Sequence, residues 1–167
     1  MRLLMLAMAA LLLAGCTNPQ TTAGPSVDRA LSFERIEGCS GQQAAEKYVV
    51  ARTQAEWDRL WAESCQGEGA DIAVGEPNPS APAPTIDFAR QHVVAAFWGE
   101  KNTGGYGIQV LNITEKDDHV GILVQRGTAG PNCMTIEVLT YPSDLVASER
   151  FTKAERFVFE DVVKDCN

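Results

Sequence analysis

Five short apolar runs crowd the second half of this 167-residue chain: His92 to Trp98, Tyr106 to Thr114, Val120 to Gln125, Met134 to Tyr141 and Arg156 to Val163. Each is too short for an ordinary helix and is bounded by turn-forming residues, so each reads as a strand. Alternation in Ile108, Val110 and Leu111 to Ile113, in Ile136 and Val138, and in Phe157 and Phe159 turns one face of each run to a core. Glu115 to Asp118 and Gly127 to Pro131 read as the turns between them. Upstream, Arg29 to Ile36 reads as one strand ending at Gly38, and Lys47 to Arg52 as another. A helix follows, with Thr53 as N-cap, Glu56 completing a capping box, and Trp57, Leu60 and Trp61 on one face, ending near Ser64. The aromatic stripe suits docking onto a sheet, with a stacking platform for sugars as the alternative. The expected fold is mainly β (α+β): an antiparallel β sandwich or barrel-like domain with one amphipathic helix.

The start of the chain sets the expected compartment. Residues 1–15 have a positive start at Arg2, an apolar core and small residues before a cut, the make-up of a secretory signal. The stretch Leu13-Ala14-Gly15-Cys16 reads as a bacterial lipoprotein cleavage site, cut between Gly15 and Cys16, with the Cys16 thiol acylated (palmitate among the chains). A buried methylene contributes about 0.8 kcal/mol, so a doubly or triply acylated Cys16 is a stable anchor. Thr17, where lipoproteins kept in the inner membrane usually carry Asp, favours the outer membrane of a diderm host, facing the periplasm or the surface. Residues 16–28 are polar, with Pro19, Gly24 and Pro25, and read as a flexible tether able to reach about 40 Å when fully extended at 3.3 Å per residue. Residues 29–167 then form a single globular domain, with 67–88 as a Pro-rich internal loop carrying Pro77, Pro79, Pro82 and Pro84.

The chain is acidic, with 14 Lys and Arg against 22 Asp and Glu. Loss of 1–15 removes only Arg2 from that balance. Such a surface lacks the electrostatic attraction that drives phosphate binding, so nucleic acid is not an expected partner and membrane contact falls to the lipid. Besides Cys16, four cysteines remain: Cys39, Cys65, Cys133 and Cys166. In an exported protein an even set implies disulfides, and three pairings are open. If Cys133 to Tyr141 pairs antiparallel with Glu155 to Cys166 in a symmetric register, Cys133 meets Cys166 and Cys39 is left for Cys65. That is the pairing expected here. No two cysteines have the spacing of a zinc knuckle.

Catalytic signatures are sparse. His92 opens a strand, and His119 follows the turn Glu115-Lys116-Asp117-Asp118, which lacks calcium-loop spacing. Gly38-Cys39-Ser40-Gly41 falls short of a nucleophile elbow. The expectation is a non-enzyme without cofactor or metal, although plentiful carboxylates leave a hydrolase open.

Two motifs carry a resemblance. The strand Val93-Val94-Ala95-Ala96-Phe97-Trp98, Gly99 and Thr103-Gly104-Gly105-Tyr106, then Gly130-Pro131-Asn132-Cys133-Met134 and Thr140-Tyr141-Pro142, resemble the C-terminal domain of the protease complex subunit PrcB family over 93–146. The resemblance implies an exported, often lipid-anchored accessory subunit of a protease complex rather than the protease. The partner expected is thus another envelope protein, with a protease the one the family suggests. Asn102, Thr103, Gly104, Gly105 and Tyr106 form the candidate binding loop. This loop also bears a fainter similarity to the first binding loop of chagasin-type cysteine protease inhibitors, Asn-Pro-Thr-Thr-Gly-Tyr, but lacks its proline and second threonine, and an Arg-Pro-Trp loop is absent. The alternative function is therefore inhibition of an exported protease through Thr103 to Tyr106. Paired glycines serve either a positive φ or the close approach of another backbone, and both readings are open, as is a tight turn with Tyr106 packed over it.

Overall fold

A computed structural model describes residues 28–39, 41–65 and 83–166. The signal segment, Cys16, the tether up to 27 and most of the Pro-rich loop lie outside the described residues. Eight strands and one helix follow in the order β1 (Arg29–Ala30), β2 (Phe33–Arg35), β3 (Glu46–Ala51), α1 (Gln54–Ser64), β4 (Gln91–Trp98), β5 (Tyr106–Glu115), β6 (His119–Ala129), β7 (Ser143–Glu149) and β8 (Ala154–Lys164). They form two four-stranded sheets, β1-β5-β6-β8 and β2-β7-β4-β3, packed as a sandwich with no closed barrel among the described residues.

Each sheet earns its place by burial. In β6, Val120, Ile122 and Val124 point inward at every second residue and are fully buried. They meet Val94, Ala96 and Val146 of the opposite sheet in a core that also holds Val110 and Ile113. A buried side chain of this size contributes about 1.5 to 3 kcal/mol. The central strand β4 is covered on both faces, since Val93, Ala95 and Phe97 point outward into a second core made with Trp57, Leu60 and Trp61 of α1. The helix forms where its cap lies: Thr53 Oγ1 accepts from the Glu56 amide at 3.3 Å, and Glu56 accepts from the Thr53 amide at 3.1 Å. Its aromatic stripe docks on the sheet, and Trp57 Nε1 donates to the Pro84 carbonyl at 2.8 Å, fastening the described end of the Pro-rich loop.

Three expectations are corrected. Arg29 to Ile36 is not one strand: it divides at Leu31 and Ser32, where buried Leu31 donates its amide to Ile113 in one sheet and the Ser32 carbonyl accepts from Glu149 in the other. The crossing lets a single segment edge both sheets. β8 does not pair with the run after Cys133 but lies parallel to β6, from His119 opposite Ala154 to Ala129 opposite Lys164. Met134 to Tyr141 forms no strand; the strand is β7, directly after Pro142, pairing with β2 and β4. The polar start of β7 is tolerated because Asp144 accepts from Arg35 at 2.8 and 3.0 Å and from the Val110 amide at 2.6 Å, beside the bulge between Val110 and Asn112 in β5. Burial nevertheless raises the Asp144 pKa above its ordinary value.

Candidate functional site

Beyond its last paired residues the β4–β7 ladder fades out at one end of the sandwich. The Trp98 amide donates to Pro142, and Lys101 and Thr140 exchange backbone bonds at 2.8 Å. Further out the Gly104 amide donates to the Ile136 carbonyl at 3.0 Å, and Thr140 Oγ1 donates to the Thr103 carbonyl at 2.8 Å. Gly99, with φ +74°, turns the chain out of β4 toward this rim. Residues 133–140 therefore run beside 101–104 as an upstream continuation of β7 that has left the sheet.

The predicted loop and this segment are one structure. Gly104 and Gly105 are not among the glycines with positive φ. A Cβ on Gly105 would lie 2.8 Å from both Ala129 Cβ and Thr135 Cγ2, and one on Gly104 would lie 3.0 Å from Ile136 Cγ1. Of the two reasons for paired glycines, close approach is the one realised, and what approaches is the chain's own side chains. Thr103 Oγ1 accepts from the Gly105 amide at 3.3 Å, closing the turn. Tyr106 turns inward: its ring meets Trp98 edge-on with centroids 5.5 Å apart. Lys101 Nζ lies 4.8 Å from the Trp98 ring and donates to the Trp98 carbonyl at 2.8 Å. Arg126 sits 4.7 Å from the Phe159 ring and 5.5 Å from Trp98, held by Asp161 at 2.6 and 2.8 Å. The mouth between the sheets is thus filled by stacked rings and cations, and Asn102 and Gly104 are the exposed residues of the loop.

What faces solvent is the seated segment. Met134 is 101% exposed, Ile136 71%, Leu139 58% and Val138 45%. These residues were expected to form a strand facing the core. Their displacement has a signal in the sequence: Pro131 and Pro142 bracket the run, and the alternation breaks at adjacent Val138 and Leu139. An open groove of about 330 Å³ runs between Gly104, Gly105, Tyr106, Ala129, Met134 and Lys164. Cys133 and Cys166 are at bonding distance and tie the start of the segment to the end of β8; Cys39 and Cys65 likewise tie the approach to β3 to the end of α1. The first of these bonds forms without the antiparallel pairing from which it was expected.

The other residues considered do not converge with this rim. His92 is buried at the start of β4 against the Phe151 ring, with Nδ1 unpartnered among the described residues. Burial first, then Arg52 and Arg150, lower its pKa. His119 Nδ1 contacts Asp118 in the β5–β6 turn. No group of three His, Cys, Asp or Glu among the described residues is placed to hold a metal.

Neither a curated protein nor a solved structure matches this chain. A family does match part of it, over β4, β5, β6, the rim segment and β7, about a third of the length. The matching family is the one described as PrcB C-terminal, which covers residues 92–149, and it is to this domain that the segment displaying the rim is similar.

Proposed function

We propose that this chain is a lipid-anchored, non-catalytic interaction module of the cell envelope, an accessory to an exported protease or to another envelope protein. The observation that carries the reading is the apolar rim Met134 to Leu139, held outward by a rigid scaffold inside the segment that resembles PrcB. Contiguous exposed apolar side chains on a folded domain mark contact surfaces. The first described strand lies at the far end: Arg29 pairs with Glu115, the last residue of β5, whereas Tyr106, its first, lies at the rim. Ten residues of strand span about 33 Å, so an anchor at Cys16 leaves the rim free to face away from the lipid. Protease inhibition by insertion of Thr103 to Tyr106 draws less support, because the chain's own Thr135 and Ile136 side chains lie against the glycines and the Tyr106 ring is engaged with Trp98.

The test is crosslinking of the lipidated protein in envelope membranes with mass spectrometry of the products. An envelope partner, foremost a protease, is expected to crosslink to the rim and to be lost in Ile136→Asp, while Cys16→Ser releases the protein from the membrane. Recovery of the protein alone from wild type and variant would overturn the proposal.

A further inference from the structure

The rim segment has a second property besides apolar exposure, a free hydrogen-bonding edge. Ile136 and Thr140 turn their backbone groups toward Lys101 and Gly104. Alternate residues of an extended chain point oppositely, so Thr135, Glu137 and Leu139 turn theirs outward, and none of these three has a hydrogen-bond partner among the described residues. Unpaired backbone edges are templates for another strand, and natural edges are normally blunted by charge or proline. β8, the neighbouring sheet edge, is interrupted by exposed Arg156, Glu160 and Lys164. Within 134–139 the sole charged residue is Glu137.

We infer that the outer edge of 134–139 binds an extended segment of a partner protein by strand addition, and that this segment is apolar and basic. The claim rests on the interaction function proposed above and names its mode. Main-chain bonds to Thr135, Glu137 and Leu139 supply the affinity, and the exposed Met134, Ile136 and Val138 receive alternate apolar side chains. The sign follows from charge: Glu137 lies within the edge, Glu100 accepts from Tyr141 just beyond it at 2.8 Å, Lys101 is turned inward onto the Trp98 carbonyl, and the whole chain carries a formal charge of −8, against which Lys164 is the one cation lining the adjoining groove among the described residues. The tether is a poor occupant. Residues 16–27 would use nearly all their reach crossing the roughly 33 Å from Arg29 back to the rim, and they are polar.

The experiment measures amide hydrogen exchange in the lipidated chain in nanodiscs, with a capped ten-residue alternating Val-Lys peptide as probe. Exchange at Thr135, Glu137 and Leu139 is expected to slow at least tenfold at saturation. A Val-Glu peptide, or the Val-Lys peptide N-methylated at alternate residues, is expected to require at least tenfold more for the same effect. Glu137→Pro should abolish the protection while exchange in β4 to β6 stays native; the γ-turn in which Val138 donates to Ile136 at 3.2 Å accommodates a proline at its centre. Should that variant fail to fold, Met134→Asp with Ile136→Asp must lose binding instead. No slowing at saturation overturns the inference, as does equal protection by the N-methylated peptide. Protection that grows with protein concentration alone would assign the edge to a second copy, and protection by the nanodisc alone would assign it to lipid; either result overturns the partner strand. A partner that crosslinks to the rim yet leaves these amides exchanging freely sinks this inference and leaves the proposed function standing.

Discussion

Two apolar, strand-forming runs of similar length end in opposite environments. Val93 to Phe97 lies at the centre of β4, bonded to β3 and β7 and covered by α1 on one face and the other sheet on the second. Met134 to Leu139 has the same kind of side chains, yet four of them face water. Composition therefore does not decide burial here; partners do. Val93 to Phe97 of β4 has an antiparallel neighbour on both sides, whereas 134–139 is held at one edge by a few contacts to 101–104 and has no sheet over it among the described residues. Substitutions that act on one run and spare the other test whether the contrast is real.

The largest difference is expected from truncation. Phe97 is 1% exposed, and Phe97→Ala should cost about 3 to 5 kcal/mol through lost burial and the cavity left behind. Ile136→Ala at the rim should change stability by less than about 0.5 kcal/mol. Denaturant midpoints at constant slope measure both. Comparable losses would mean that the rim is packed and the exposure incorrect.

Next come the disulfides, which close sequence separations of 26 and 33 residues. Chain-entropy reasoning assigns each about 3 to 4 kcal/mol, so global stability barely distinguishes them. Local exchange does. Cys133→Ser with Cys166→Ser should speed amide exchange through 133–139 and leave α1 unchanged, while Cys39→Ser with Cys65→Ser should loosen the end of α1 and spare the rim. If both pairs speed exchange equally everywhere, the rim is not an independently held element.

The glycines of the loop sharpen the comparison within a few residues. Gly105→Ala drives a methyl to 2.8 Å from Ala129 and Thr135 and should cost about 1 to 3 kcal/mol while displacing 134–136. Gly107→Ala meets nothing within 4 Å and should be close to neutral. Equal effects would remove the argument that Gly105 exists to seat the rim segment.

These cases also show how far the sequence could be read. α1 was legible because its signals are local: Thr53, Glu56 and the Trp57-Leu60-Trp61 spacing need no knowledge of the rest of the chain. The runs of β4, β5 and β6 were legible for the same reason, and the charged turn at 115–118 joins the last two as expected. Pairing was not legible. Period-two alternation reports a face but not a neighbour, so the parallel placement of β8 beside β6 has no signature in β8 itself. β7 was missed because Ser143 and Asp144 look unlike strand residues until Arg35 and the Val110 amide are brought against Asp144. The rim was missed for the converse reason: Met134 to Leu139 looks like a strand, yet no sheet strand among the described residues pairs with it. In the candidate loop the glycine pair marked a close approach, but only the three-dimensional arrangement identified the side chains of Thr135 and Ile136 as what approaches.

The gentlest effect concerns the other end of β4. His92 opens the buried run, and its imidazole lies against Phe151 with an unpartnered Nδ1. Burial, reinforced by Arg52 and Arg150 and opposed by Glu155 and Glu56, puts its pKa below the ordinary value of 6.5. Between the folded pKa and 6.5 the unfolded chain holds a proton that the folded chain refuses. The stability that His92 contributes is therefore complete above pH 6.5 and declines as the pH falls toward its folded pKa. His92→Gln removes this titration and should flatten the pH dependence of the denaturation midpoint just below that value. The carboxylates held low by charged or backbone partners, Glu56, Glu115 and Glu149, lose their contributions only at more acid pH, so they leave the difference between wild type and variant intact. An unchanged slope in the variant would place His92 in contact with water. It would also mean that burial along β4 stops short of its first residues, narrowing the contrast with the rim from that end.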